Sequence, residues 1–351
     1  MNGSYHTIYY QSNFPIFQNR VYDSQEEAKK CPTGEIELVE NLETGLVYNL
    51  AFRPELMIYD SKYNNEQSLS THFRGHLQQV AEIVKSTLGN INLVEVGCGK
   101  GFFLEMLLDQ GVDIEGFDPA YEGKNDRVKK KYFEPSIVKS AHGLILRHVL
   151  EHIENPVKFL EHLKIANGGH GLVYIEVPCF EWICKRRVWF DIFYEHVNYF
   201  RLSDFYRIFG KVLKSGYLFG NQYLYIVAEL NSLRIPVIDH EDRVAFPSDF
   251  ARSIEVDIPD SNCVIWGSAS KGVIFSLLKL RRNQKIDYAI DINPAKQGKY
   301  LPVTALKVYS PQQAIQSLKA GSAIYVMNSN YIDEVREITN NKFKLIGVDY
   351  E

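Results

Sequence analysis

INLVEVGCGKGFFLEMLLDQGVDIEGFDPAY, residues 91–121, decides the fold. It reads as an apolar strand, a glycine turn, an amphipathic helix closed at Gly111 and a second strand, which together make one βαβ unit. Gly97, Gly99 and Gly101 sit between strand and helix, where a turn without side chains lets its backbone come close to a ligand. Glu95 lies just before the turn, where a carboxylate can meet a cationic amino group. Asp118 ends the second strand, at the place from which an acidic side chain reaches ribose hydroxyls. A GxGxG spacing alone is also found in NAD and FAD sites and in turns that serve only folding.

The alternation continues on both sides. Phe73, Leu77, Val80, Ile83, Val84 and Leu88 recur at threes and fours, which predicts an amphipathic helix over 72–88 closed by Gly89. Downstream lie a strand at 143–146, a helix at 156–163 and a strand at 172–177 ended by Pro178. A second series follows the proline- and acid-containing stretch 235–260. NCVIWGSASKG (262–272) is strand, small-residue turn and helix, and KIDYAIDINPAKQGKY (285–300) holds a strand ending at Asp291. Segments 322–327, 332–338 and 344–348 add strand, helix and strand. The expected fold class is α/β: a Rossmann-like, mostly parallel sheet over 71–235, a second Rossmann-like α/β domain over 236–351, and a small irregular N-terminal region, 1–70, with short strands at 35–38 and 45–49.

The 351 residues are enough for two or three cores. A hydrophobic fraction of 45%, with 22 Tyr and 20 Phe, excludes disorder and fits aromatic-lined clefts. A net charge of −4 argues against a nucleic-acid-binding surface. The densest basic run, Arg127 to Lys131, reads as a solvated helix face. No apolar stretch is long enough to span a bilayer, and MNGSYHTIYY lacks the basic-then-apolar order of a signal peptide, so the cytoplasm is the expected location. Five cysteines without a CxxC pair indicate free thiols.

E-V-G-C-G-K-G followed by F-D-P resembles motif I and the acidic position of class I S-adenosylmethionine-dependent methyltransferases. HVLEHIENPVKFL (148–160) is similar to their segment after strand four. The resemblance implies S-adenosylmethionine as cofactor, bound by Glu95, Gly97, Gly99, Gly101, Asp118 and Pro119, with Arg147 and His148 at its border. The chemistry agrees, because a sulfonium cofactor without pyrophosphate needs close backbone approach and carboxylates. A plain salt bridge for Glu95, and surface positions for His148 and His152, are the structural alternatives. Metal ligation by the H-x-x-x-H of 148–152 lacks supporting ligands.

Three flanking segments, YDSKYNNEQSLSTHFRGHL (59–77), DIFYEHVNYF (191–200) and VIWGSASKG (264–272) with YAIDINPAKQGKYLP (288–302), resemble the three-part sugar C-methyltransferases acting on nucleotide-linked deoxysugars. That implies proton removal beside a 4-keto group and methyl transfer to the resulting enolate. His196 is then the candidate base. Glu195 is an orienting or substrate-binding group and Tyr63 an active-site tyrosine, with Asn65, Gln67, Ser70 and Tyr194 near the same cleft. In the C-terminal half Ser268, Ser270, Lys271 and Gly272 would form an anion site at a helix N-terminus, and Asp291, Asn293, Lys296 and Gly298 would close over the nucleotide. A turn kept only for folding is the alternative there, and NAD is the less favoured ligand.

Two departures stand out. PTGEIELVENLETGLVYN (32–49) resembles half of the family's zinc module, but Asn41 and Thr44 stand where a CxxC pair is expected, so no metal is predicted. The family often reads Tyr-x-Glu-His where this chain has Phe193-Tyr194-Glu195-His196, and in a strand a one-residue shift would turn the phenol to the other face. Transfer to a sugar oxygen or amine, and a non-catalytic nucleotide-binding protein, are the competing readings. Intact Glu95, Gly97, Gly99 and Asp118 argue against the latter.

Overall fold

The structure is a computed structural model and describes residues 4–57, 68–134, 140–255, 258 and 263–349. The N-terminal part comprises strand β1 (Tyr5–Pro15), helix α1 (Gln25–Lys29), β2 (Thr33–Asn41) and β3 (Val47–Asn49). Two strands fall where the sequence places them. β1 does not, because its burial alternates only loosely and most of its side chains are exposed or half-exposed, which removes the apolar periodicity that would mark it. The region is therefore more regular than its polarity predicts.

Next come α2 (Thr71–Leu88), β4 (Leu93–Val96), α3 (Phe102–Asp109), β5 (Ile114–Phe117), β6 (Val128–Lys129), β7 (Gly143–Arg147), α4 (Pro156–Ala166), β8 (Leu172–Pro178), α5 (Phe180–Arg186), β9 (Asn198–Tyr199), α6 (Leu202–Ile208), β10 (Val212–Leu218) and β11 (Tyr223–Glu229). α2 is set by its apolar stripe and by its ends. The Ser70 hydroxyl accepts from Phe73 N–H, and Gly89 closes the helix at φ +82°. The seven strands β4–β8, β10 and β11 form one sheet in the order β10-β11-β8-β7-β4-β5-β6, with β11 antiparallel to both neighbours and the rest parallel. The chain reverses direction of winding at β4, so the crevice beyond the carboxyl ends of β4 and β7 is the natural ligand position.

The third part holds β12 (Val264–Trp266), α7 (Ser270–Arg281), β13 (Tyr288–Ile290), β14 (Val308–Tyr309), α8 (Pro311–Ser317), β15 (Ala323–Val326), α9 (Ile332–Ile338) and β16 (Lys344–Gly347). Its five strands are parallel, in the order β14-β13-β12-β15-β16. β12 is buried throughout, as a strand covered on both faces must be.

Two expectations are corrected. Residues 127–131 are not a helix face: Val128 and Lys129 pair with Gly116 and Phe117 at the sheet edge, and Arg127 donates to Ile114 O. A run of like charges can decorate an edge strand as well as a helix. The stretch around 194–196 is not a strand either. It is a tight turn closed by His196 N–H donating to Phe193 O, and only Asn198 and Tyr199 pair, antiparallel, with β3. The sheet of β1, β2, β3 and β9 therefore takes its last strand from the middle of the chain. Among the described residues no helix is long and apolar enough to cross a membrane.

Candidate active site

At the carboxyl end of β4 the chain turns sharply through Gly97 at φ +73°, Gly99 at φ +55° and Gly101 at φ +82°. A Cβ on Gly97 would lie 2.6 Å from Val149 Cγ2, so the close approach of the segment after β7 requires glycine there. At Gly99 an added Cβ would meet nothing, leaving space above the turn. Asp118 braces this turn, accepting from Gly99 N–H and Ala120 N–H at 2.8 Å each. Each carboxylate oxygen keeps a further lone pair. Pro119 follows on the exposed side.

Glu95 is 3% exposed, and its Oε2 is buried without a hydrogen-bond partner. Burial, with Asp118 adding to it against the opposing Arg147, pushes the carboxyl up to about 8. A buried orphan acceptor beside an open glycine turn is what a cationic amino group would complete. The residues present thus fit a cofactor that carries an amino acid and a nucleoside.

The next position outward is a carboxylate–histidine network. Glu176 on β8 is fully buried, 3.3 Å from Arg147 Nη2, 3.2 Å from His76 Nε2 and 3.1 Å from His148 Nε2, and Tyr174 donates its hydroxyl hydrogen to it. Burial opposes ionisation, but Arg147, His76 and His148 together hold the Glu176 carboxyl well below the usual range. His148 stands at φ +52°, with Nδ1 3.3 Å from Glu151 Oε1 and its ring edge-on to Tyr223. Burial would lower its pKa, yet the two carboxylates raise it to about 9. Left-handed backbone is uncommon away from glycine, although histidine enters it more readily than most residues, and such positions gather at functional sites. Arg147 lies over the Phe103 ring at 4.6 Å.

His148 also borders a cavity of about 230 Å³ between the seven-stranded sheet and the C-terminal sheet. Glu151, His152 and His196 enter the same cavity and bring a carboxylate oxygen and imidazole nitrogens within 4.8 Å of one another. His152 Nδ1–H donates to the Glu195 carbonyl at 2.7 Å, which fixes the orientation of its ring. The rings of His152 and His196 meet edge-on, 4.9 Å between centroids, and Phe193 lies against His196 at 4.0 Å. Burial, then the charges of His152 and His148, hold His196 well below its usual value, so it is a neutral imidazole with a lone pair to use. Glu151 Oε2 is buried without a partner. Such a group can pass a proton, and its mixed nitrogen and oxygen donors are also of the type a first-row divalent ion takes.

The other side chains singled out in the sequence divide by place. The Glu195 carboxylate is buried away from water and accepts from Gln18 N–H at 2.5 Å and Asn19 N–H at 3.1 Å. The Tyr194 phenol accepts from Arg53 N–H at 2.9 Å, and its ring lies beside Phe52. Tyr63, Asn65 and Gln67 lie outside the described residues. Ser270, Lys271, Gly272, Asp291, Asn293 and Lys296 all line the cavity. Asp291 accepts from Ser268 N–H and from the Ser268 hydroxyl, while Lys271 Nζ sits 3.3 Å from Asp191 and 4.9 Å from the Trp182 ring centre. Burial holds the Lys296 ammonium below its usual value against the opposing charges of Asp291 and Glu195.

Asn19, Glu151, Asp191 and Gln222 line the cavity without having been singled out. Glu151 had a signal, since it stands between the two histidines of H-V-L-E-H. Asn19 had none, because its position depends on a contact 176 residues away.

Residues 70–212 match the family described as a methyltransferase domain, and residues 254–346 match the C-methyltransferase C-terminal domain. The C-methyltransferase NovU of Streptomyces niveus is 22% identical over 311 residues, covering 74% of this chain and 72% of that protein. Among solved structures, an S-adenosylmethionine-dependent methyltransferase from Archaeoglobus fulgidus is 19% identical, covers 47% of this chain and all of its own, and has a TM-score of 0.35. The plantazolicin methyltransferase BpumL in complex with SAH is 16% identical, covers 48% of this chain and 88% of its own, and has a TM-score of 0.36.

Proposed function

We propose that this chain, which is a class I S-adenosylmethionine-dependent methyltransferase, methylates a carbon of a nucleotide-linked keto sugar. The observation that supports this most is His196 at the wall of a cavity formed jointly by the seven-stranded sheet and a second Rossmann-like sheet, beside Glu151 and His152. When bound, the cofactor supplies an electrophilic methyl group on a sulfonium. Glu95 would pair with its amino group, Gly97, Gly99 and Gly101 would let it come close to the main chain, and Asp118 would take the ribose hydroxyls. Arg147 and His148 hold the buried Glu176 carboxylate beside the turn.

His196 takes the proton from the carbon next to the carbonyl, and the electron pair of that C–H bond is left as an enolate, the nucleophile for the methyl that the cofactor would supply as its S–CH3 bond breaks and S-adenosylhomocysteine leaves. Burial, which holds the His196 pKa below the usual value, keeps the ring unprotonated and able to accept that proton. The α7 turn with Lys271, and Asp291, Asn293 and Lys296 opposite, provide the polar wall for the nucleotide part. The C-terminal match to the C-methyltransferase family and the NovU likeness favour carbon over oxygen as the acceptor.

The test is hydrogen exchange without cofactor. A nucleoside diphosphate-linked 4-keto-6-deoxyhexose in deuterated water should lose its acidic hydrogen in the presence of wild type. His196→Ala should slow both exchange and methyl transfer by about 10²–10⁴-fold with cofactor affinity kept. Undiminished exchange in that variant removes His196 from the mechanism.

A further inference from the structure

We infer that Asn19, carried by the N-terminal part of the chain, is a substrate-binding residue of the cavity, and that Glu195 acts through it as a positioning residue without touching the acceptor. The inference rests on the acceptor occupying the cavity, as proposed above. Asn19 is 4% exposed and lines the cavity. Its Nδ2–H donates to Ser270 Oγ at 3.2 Å, while its Oδ1 is buried without a hydrogen-bond partner. An amide oxygen withheld from water without a donor is costly, and a ligand that brings the donor removes the cost.

The position is built. Gln18 N–H and Asn19 N–H both donate to one oxygen of the wholly buried Glu195 carboxylate, at 2.5 and 3.1 Å, and Glu195 N–H donates back to Gln18 Oε1 at 3.4 Å. The same residue's carbonyl accepts from His152 at 2.7 Å. Glu195 therefore sets two walls of the cavity: the backbone under Asn19 with its side chain, and the tautomer of His152 with its main chain.

The chemistry of the contact follows from the atom. Asn19 Oδ1 only accepts, so it takes a hydrogen from a ring hydroxyl or amine of the acceptor and not the keto oxygen, which has none to give. An acceptor lacking that substituent leaves Asn19 unpaired and is discriminated against.

Calorimetric binding of a panel of nucleoside diphosphate-linked 4-keto-6-deoxyhexoses, with S-adenosylhomocysteine present, tests this on the full chain. Asn19→Ala should weaken binding about tenfold, with S-adenosylhomocysteine affinity and melting temperature unchanged. Asn19→Asp, which keeps an acceptor, should lose less. Glu195→Gln should stay within about threefold of wild type, because an amide oxygen can take both backbone N–H groups, whereas Glu195→Ala should match Asn19→Ala. A panel member lacking the hydroxyl or amine should bind wild type and Asn19→Ala alike. Wild-type binding by Asn19→Ala overturns the contact, and equal damage in Glu195→Gln and Glu195→Ala overturns the positioning role. A wild type that binds no member of the panel contradicts the proposed function and takes this inference with it.

Discussion

Glu95 is a carboxylate that the fold makes difficult to ionise. With its pKa raised from 4.5 to about 8, its contribution to folding is most favourable below the unfolded value and declines as pH rises through about 8. In the proposed site, pairing with the cofactor's amino group would reverse that, so cofactor binding would draw on the ionised form. S-adenosylhomocysteine affinity in wild type should rise by roughly tenfold per pH unit up to about pH 8 and then level off. Glu95→Gln should bind weakly at every pH with the slope gone, and a wild-type affinity that is flat over this range would contradict the assignment. His148 is the opposite case. Its folded value, about 9 against an ordinary 6.5, gives stability that is fully present below the unfolded value and is lost as pH rises through about 9. The difference in unfolding free energy between wild type and His148→Gln should therefore shrink over that window by up to about 3 kcal/mol, measured by urea denaturation. A constant difference would mean that the ring is neutral throughout.

At the scale of elements, turns decide the site. Gly272 opens α7 against the preceding turn so closely that a Cβ would lie 1.9 Å from the Gly267 carbonyl oxygen. Backbone cannot yield as a side-chain tip can, so Gly272→Ala should cost about 1–3 kcal/mol in thermal denaturation, and an unchanged Tm would show that the turn can shift. The regular elements were legible because their signals are local. The threes and fours of Phe73 to Leu88 gave α2, and the apolar run before Gly97 gave β4. The turn at 193–196 was not legible, since its apolar composition suits a buried strand equally well, and what bends it is pairing of Asn198 and Tyr199 with β3. The side of the turn on which Glu195 acts could be seen only after that strand was placed.

For the whole molecule, the cavity belongs to no single part. Asn19 comes from the N-terminal part, His148 and His196 from the central one, and Asp291 and Lys296 from the C-terminal one. Ser70 Oγ–H donates to Glu334 at 2.5 Å, Asn330 donates to Phe219 O at 2.9 Å and Trp189 stacks on Phe275 at 5.4 Å, tying the two α/β parts together around it. The proposed cofactor residues could be singled out because Glu95, the glycines and Asp118 lie within one βαβ unit. The acceptor wall was readable only in pieces, since each part supplies one or two side chains and nothing local marks Asn19 or Asp191 as neighbours of Ser270 and Lys271. The central claim is methyl transfer to sugar carbon, and it is tested most directly by incubating the protein with ¹³C-methyl-labelled S-adenosylmethionine and nucleoside diphosphate-linked 4-keto-6-deoxyhexoses and assigning the labelled product by NMR. A labelled methyl bonded to the ring carbon adjacent to the carbonyl is the predicted result; a methyl ether, a methylamine or no transfer to any member of the panel would contradict it.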